Sequence, residues 1–222
     1  MTQSFRIHAV LLDMDGTLVD STAAVERTWL AWARPHGLDA ARVLEVVHGR
    51  QGYESMAILL PDRPHEQNIA ENAIMLATEA DDVTGVVAVP GAEELLHDLL
   101  PYPHAIVTSA DVRLMRARMN EAQLQIPALH ITAENVTSSK PHPEGFLLGA
   151  SRLGVDPADC LVFEDSEAGI AAARAAGMRV VGVGAASAAF APDLVVADLT
   201  GIRIEADAEG GADAGVLTLT ID

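Results

Sequence analysis

Ile7-His8-Ala9-Val10-Leu11-Leu12, apolar but for one histidine, empties directly into Asp13-Met14-Asp15-Gly16-Thr17-Leu18-Val19-Asp20-Ser21. A buried strand that ends in two carboxylates one residue apart has few places to go. Ionised carboxylates are strongly disfavoured inside a sheet, whereas at the C-terminal edge of parallel strands they face the crevice in which open α/β folds bind ligands. Gly16 lets the chain break away sharply, and Thr17 is expected to hydrogen-bond locally and hold the turn. Taken alone, the segment also reads as an acidic strand-to-helix turn with an N-cap.

After this strand the apolar spacing becomes helical, with Val25, Trp29 and Trp32 three or four apart within Thr22 to Arg34. Helical spacing continues through Ala40 to Val47, Tyr53 to Leu60 and Pro64 to Ala80, interrupted at His36-Gly37, Gly49 and Pro61. From Pro90-Gly91 onward, short apolar runs alternate with Ala/Leu-rich helices: Ala105 to Thr108, Ala128 to Thr132, Cys160 to Phe163, Val180 to Val183 and Leu194 to Val196. Such alternation predicts βαβ units and a parallel sheet with helices on both faces. The sheet begins before the helical block and resumes after it. Residues 20–87 therefore read as an all-α insertion over the C-terminal edge of the first strand, and residues 1–19 and 88–222 as the core. Ile202 to Ala206 and Val216 to Ile221, flanking Glu209-Gly210-Gly211-Ala212-Asp213, predict a C-terminal β-hairpin.

A chain of 222 residues, half of them hydrophobic, is long enough for one good core and a smaller accessory domain. Its 32 acidic and 14 basic residues give a formal charge of −18, which repels nucleic acid and anionic membranes and argues against either partner. The same acidity means that an anionic substrate needs a local cation, which a divalent metal would supply. Cys160, the only cysteine, lies in an apolar run and reads as a small buried hydrophobe, not a catalytic thiol. No secretory signal is recognisable, and no apolar run approaches the roughly 20 residues a membrane span needs, so a soluble cytoplasmic protein is expected. Ala-rich helix faces leave room for a dimer, but nothing specifies one, and a monomer is expected.

Three further apolar runs stop at polar groups. Val107-Thr108-Ser109 offers a hydroxyl and backbone N–H groups that could bind a phosphate oxygen, although Thr and Ser are also ordinary N-caps. Ser138-Ser139-Lys140-Pro141-His142-Pro143-Glu144 places a lysine on a turn fixed by proline, where a surface lysine is the plain alternative. Phe163-Glu164-Asp165-Ser166-Glu167-Ala168-Gly169 ends a strand in adjacent acids, which alone read as helix-start carboxylates favoured by the dipole.

Taken together, Asp-x-Asp-Gly-Thr, Thr-Ser, Lys-Pro and Glu-Asp, in this order at the ends of apolar runs, resemble the haloacid dehalogenase superfamily of phosphotransferases, over almost the whole chain. The insertion resembles the α-helical cap of the subclass whose cap follows the first motif. Val89-Pro90-Gly91, Lys-Pro-His-Pro-Glu and Glu-Asp-Ser-x-Ala-Gly are similar to the sugar and polyol phosphate phosphatases of that subclass. The resemblance implies a Rossmannoid core and hydrolysis of a small phosphorylated metabolite. It makes Asp13 the nucleophile and Asp15 the acid and base. Lys140, Thr108 and Ser109 become phosphate binders, and Asp13, the Asp15 carbonyl, Glu164 and Asp165 become ligands of Mg²⁺. Physics asks for that ion independently: two carboxylates about 4 Å apart repel by roughly 4 kcal/mol at an effective dielectric of about 20.

Within the insertion, His48, Gly49 and Arg50 lie on an interhelical loop and are candidates to meet the substrate. The rival within the superfamily is a hexose phosphate mutase of the β-phosphoglucomutase type. That type carries a histidine on the first cap helix, where Val25 stands here, and a loop arginine where Gly52 stands, with Arg50 displaced from it. Both departures favour hydrolysis. A noncatalytic Mg²⁺ or phosphate-binding protein is the remaining alternative, and the intact set of acids and lysine argues against it.

Overall fold

A computed structural model describes residues 2–206 and 216–221. In chain order its elements are β1 (Gln3–Ile7), β2 (Ala9–Leu12), β3 (Val19–Asp20), α1 (Thr22–Ala33), α2 (Ala40–Leu44), α3 (Gly52–Leu59), α4 (His65–Asp81), β4 (Val87–Ala88), α5 (Ala92–Leu99) and β5 (His104–Val107). There follow α6 (Val112–Glu121), β6 (His130–Ile131), α7 (Glu144–Leu153), β7 (Cys160–Glu164), α8 (Glu167–Ala175), β8 (Arg179–Val183), β9 (Leu194–Val196), β10 (Ile202–Ala206) and β11 (Leu217–Ile221).

Six strands form a parallel sheet in the order β6-β5-β2-β7-β8-β9. Chain order runs outward on both sides of β2, so its C-terminal end is the topological switch point where such sheets open a crevice. Leu12 pairs with Ile106 on one side and Phe163 on the other, which brings the residues that follow, Asp13, Val107 and Glu164, out along one edge. Alternate side chains bury on opposite faces, as the period of two requires. Val10, Leu12, Ile106 and Phe163 pack with α5 and α6 through Leu95, Leu99, Leu114 and Met115. Ala9, Leu11, Val107 and Val162 pack with α7 and α8 through Phe146, Ala150, Ile170 and Ala173. Cys160 lies fully buried in the second layer, and burial pushes its thiol up to about 11.

The sequence reads Ile7 to Leu12 as one strand, but the chain divides at His8. Phe5 and Ile7 are buried while Ser4 and Arg6 are exposed, an alternation that suits a half-covered antiparallel strand, and β1 pairs with β11. β10 pairs with β11 on its other side, so the expected terminal strands form part of a three-stranded antiparallel sheet. The turn expected at residues 209–213 lies outside the described residues.

α1 to α4 leave and rejoin the sheet through the short antiparallel pair β3 and β4. They bury a cluster of their own around Trp29, Val43, Val47, Met56, Leu59 and Met75. Among the described residues no helix is long and apolar enough to cross a membrane.

Candidate active site

Asp13 follows β2 with 6% of its surface exposed, and its backbone N–H donates to Phe163 O at 3.0 Å, which fixes it to the neighbouring strand. Lys140 reaches it from the loop before α7: Nζ lies 2.5 Å from Asp13 Oδ1 and 2.8 Å from Glu164 Oε1. That loop is held from within, since Glu144 accepts from the backbone N–H groups of Thr137 and Ser138. It is held from above by Ser139 Oγ, which donates to Glu54 on α3. Lys140 is thus a buried cation between two carboxylates, which hold its ammonium above the usual lysine range against the opposing cost of burial. Burial raises the Asp13 carboxyl to about 8; Lys140 pulls it down, and Glu164 pushes it further up.

Glu164, fully buried, has both oxygens engaged. Oε1 accepts from Lys140, and Oε2 accepts from Ser166 N at 2.6 Å and Ser166 Oγ at 2.9 Å at the start of α8. Ser166 Oγ in turn accepts from Gly169 N, and a side chain at Gly169 would collide with the Glu164 carboxyl. Asp165 differs: among the described residues no ion pair holds it, and burial together with the nearby Glu164 and Asp13 raises its carboxyl well above the ordinary range. Ligand oxygens of Asp13, Glu164 and Asp165 lie within 4.8 Å of one another. Three acids converge on one lysine, leaving an excess of negative charge among hard oxygen donors, the donor set a Mg²⁺ ion prefers. The residues present fit such an ion.

The Asp15 carboxylate is gripped from the opposite direction. Ser21 Oγ donates to Oδ1 at 2.6 Å, and Arg118 Nη1, from α6, lies 2.8 Å from the same oxygen. Arg118 Nη2 donates to Glu79 Oε2 on α4 at 2.9 Å. Glu79 is buried, which raises its carboxyl to about 7 although Arg118 works against the rise. The turn itself is held by backbone, with Leu18 and Val19 N–H donating to Met14 O and Gly16 N–H to Val19 O. The bond expected of the Thr17 hydroxyl is not made; among the described residues Oγ1 is buried without a partner, and those backbone bonds close the turn instead. Gly16 has φ +82°, and a methyl group there would strike the Asp165 carboxylate.

Thr108 and Ser109 follow β5 and line the same cavity as Asp13, Asp15 and Asp165. Thr108 Oγ1 accepts from Ala110 N at 3.1 Å, which leaves its proton to donate. The loop His48-Gly49-Arg50 forms the far wall, Ser109 Oγ donating to Gly49 O at 3.4 Å, and His48 is exposed at the rim. Every candidate residue read from the sequence gathers here, with Lys140 and Glu164 beneath the others. Arg118, Glu79, Ser21 and Asn72, which also line the cavity, escaped that reading. The available signal was a charge on an apolar stripe: Arg118 follows Leu114 by four residues, and Glu79 follows Met75 by four.

A family model for haloacid dehalogenase-like hydrolases matches residues 7–177. The chain is 42% identical over 182 residues to hexitol phosphatase A of Escherichia coli K12, covering 81% of this chain and 84% of that one. It is 34% identical over 194 residues to glycerol-1-phosphate phosphohydrolase 1 of Saccharomyces cerevisiae, covering 81% and 76%. A crystal structure of a hydrolase from Pseudomonas syringae matches in fold, with a TM-score of 0.75 over 86% of this chain and 94% of that one at 22% identity.

Proposed function

Because this chain belongs to the haloacid dehalogenase-like hydrolase family and is a phosphoric monoester hydrolase, we propose that it is a Mg²⁺-dependent phosphatase of small sugar or polyol phosphates. The observation that carries the reading is a buried carboxylate, Asp13, paired with Lys140 at 2.5 Å on the floor of a cavity whose far side holds a second carboxylate, Asp15.

Asp13 is the nucleophile. A carboxylate oxygen of Asp13 bonds to phosphorus as the ester P–O bond breaks, and the departing alkoxide takes a proton from Asp15. In the second half, water bonds to the phosphorus of the aspartyl phosphate and gives its proton to Asp15. The P–O bond to Asp13 breaks, and inorganic phosphate leaves. Lys140, the Thr108 hydroxyl and the Ser109 N–H stabilise charge on the transferring group, the contribution on which phosphoryl transfer mostly depends. Asp13, Asp165, Glu164 and the Asp15 carbonyl would hold Mg²⁺, which supplies positive charge that lets a phosphate dianion approach these acids. Because both Glu164 oxygens are already engaged, Asp165 is the stronger ligand of that pair.

Residues 20–87 act as a cap, sealing water from the first half-reaction and selecting the substrate. Its apolar wall of Val25, Trp29 and Met75 suits a carbon chain, while Asn72, His48 and Arg50 suit hydroxyls. The names of the hexitol and glycerol phosphate relatives support the polyol class. The test is a panel of hexitol, glycerol, deoxyhexose and hexose phosphates ranked by kcat/KM with and without Mg²⁺. Metal-dependent release of phosphate from a polyol phosphate is expected, and no release above a boiled control would end the proposal. Glucose 6-phosphate accumulating from glucose 1-phosphate without free phosphate would replace it with a mutase.

A further inference from the structure

Asn68, Asn72, Met75 and Glu79 fall on one face of α4, and three of the four are polar. Arg118 answers Glu79, and Met75 joins the apolar cluster of the insertion. Asn68 is 1% exposed, yet among the described residues neither its Oδ1 nor its Nδ2 has a hydrogen-bond partner. Asn72 lines the cavity and likewise makes no hydrogen bond among the described residues. An amide buried unpaired forfeits its bonds to water, a cost that a leucine in its place would not carry. Gly52, the first residue of α3, leaves Asn72 its space. Its φ is not left-handed, so the backbone there does not call for glycine. A methyl group on it would strike Asn72 Oδ1 and lie 3.3 Å from Trp29 Cζ2.

We propose that this face of α4 reads the hydroxyls of the substrate: Asn72 takes one directly, Asn68 takes another farther along the chain, and the preferred substrate is the phosphate of a polyol longer than glycerol. This rests on the reading of the cavity as that of a polyol phosphatase. A carboxamide both donates and accepts, as a hydroxyl does, whereas a carboxylate or a second phosphate asks for donors alone. Residues four apart on a helix carry their Cβ atoms about 5–6 Å apart, so one chain meets both amides only with hydroxyls several carbons apart. Glycerol phosphate, with two carbons beyond the ester carbon, is long enough for Asn72 alone, and a hexitol phosphate is long enough for both. The partner that completes Asn68 is an O–H group, from the distal end of the substrate in this proposal; a buried water is the other source, and the test separates them.

The test compares glucitol 6-phosphate, glycerol 1-phosphate and n-hexyl phosphate in Mg²⁺, using wild type, Asn72→Leu, Asn68→Leu and Gly52→Ala. The wild type should prefer glucitol 6-phosphate to n-hexyl phosphate, which has the same carbon count and no hydroxyl. That ratio of kcat/KM should fall about tenfold in Asn72→Leu, the upper worth of one hydrogen bond, and in the same direction in Gly52→Ala. The loss should lie in KM, because a bond made equally in the bound substrate and the transition state leaves kcat alone. In Asn68→Leu the ratio of glucitol 6-phosphate to glycerol 1-phosphate should fall at least about threefold. Equal losses on all three substrates in Asn72→Leu would overturn the proposal, because a merely structural residue damages them alike. An Asn68→Leu protein with a raised Tm and an unchanged ratio would overturn it too, since the amide then holds only a water. If circular dichroism shows Asn72→Leu unfolded, Gly52→Ala decides by the same ratio. Wild type that hydrolyses glucitol and n-hexyl phosphates equally well would overturn this proposal and leave the phosphatase reading standing, whereas release of phosphate from none of the three would overturn both.

Discussion

Stripping divalent metal and raising the pH should destabilise this protein through its own active site. The Asp13 carboxyl is raised from 3.8 to about 8, chiefly by burial, and the Asp165 carboxyl moves the same way for the same reason. Glu79 rises from 4.5 to about 7. In the unfolded chain these acids ionise at their ordinary values, so between about pH 4 and about pH 8 the folded protein binds more protons than the unfolded one. A group raised on folding contributes stability that is complete below its unfolded pKa and is lost as pH rises through its folded pKa. For Asp13 alone the loss is about 6 kcal/mol at most, against a total stability of roughly 5–15 kcal/mol for a typical domain. For a chain of this length that is a fall in Tm of at most roughly 12–24 °C. Bound Mg²⁺ competes with those protons, so it should stabilise more at high pH than at low. The assay is thermal unfolding in EDTA and in Mg²⁺, at about pH 5 and about pH 8.5. General self-repulsion of a chain carrying a formal −18 runs the same way. The control is therefore Asp13→Asn, which should flatten the slope in EDTA. A Tm in EDTA that does not fall across this window, or a slope unchanged in Asp13→Asn, would refute the reasoning.

Lys140→Met removes the cation shared by Asp13 and Glu164 and leaves two buried acids facing each other. Urea unfolding should show a loss of about 3–5 kcal/mol in metal-free protein, and turnover should fall at least about a hundredfold; a stability change below about 1 kcal/mol would contradict the pairing. Gly16→Ala forces a left-handed residue to carry a methyl group that meets Asp165. Backbone strain of about 1–2 kcal/mol is expected, with a weaker apparent affinity for Mg²⁺ in an activity titration; an unaltered titration would separate Asp165 from the metal. Trp29→Ala opens the core of the helical insertion and should cost about 3–5 kcal/mol by the same unfolding measurement.

The sheet was legible because strands buried on both faces read as unbroken apolar runs: Val10 to Leu12, Ala105 to Val107 and Leu161 to Phe163 have no competing helical period. The break at His8 was not, since Phe5 and Ile7 continue the apolar register and only pairing with β11 turns them aside. The expected strand Ala128 to Thr132 shrinks to His130–Ile131, where it lies at the sheet edge beside β5 alone. Asp13, Glu164 and Asp165 stood out because a charge closing an apolar run has no packing reason to be there. Arg118 and Glu79 did not. Each is one charged residue on an amphipathic helix that bears several, and they are 39 residues apart, brought together only by the docking of α4 on α6. Their place on an apolar stripe marks each as inward-facing, but which helix docks on which has no local signature.

The central claim is that phosphate passes through Asp13. Wild-type protein mixed with substrate and Mg²⁺, quenched in acid within one turnover and treated with borohydride, should yield a peptide in which Asp13 alone has become homoserine, the reduction product of an acyl phosphate. A quench that captures released phosphate while Asp13 remains aspartate, or that places the homoserine at Asp15 or Asp165, would contradict the account.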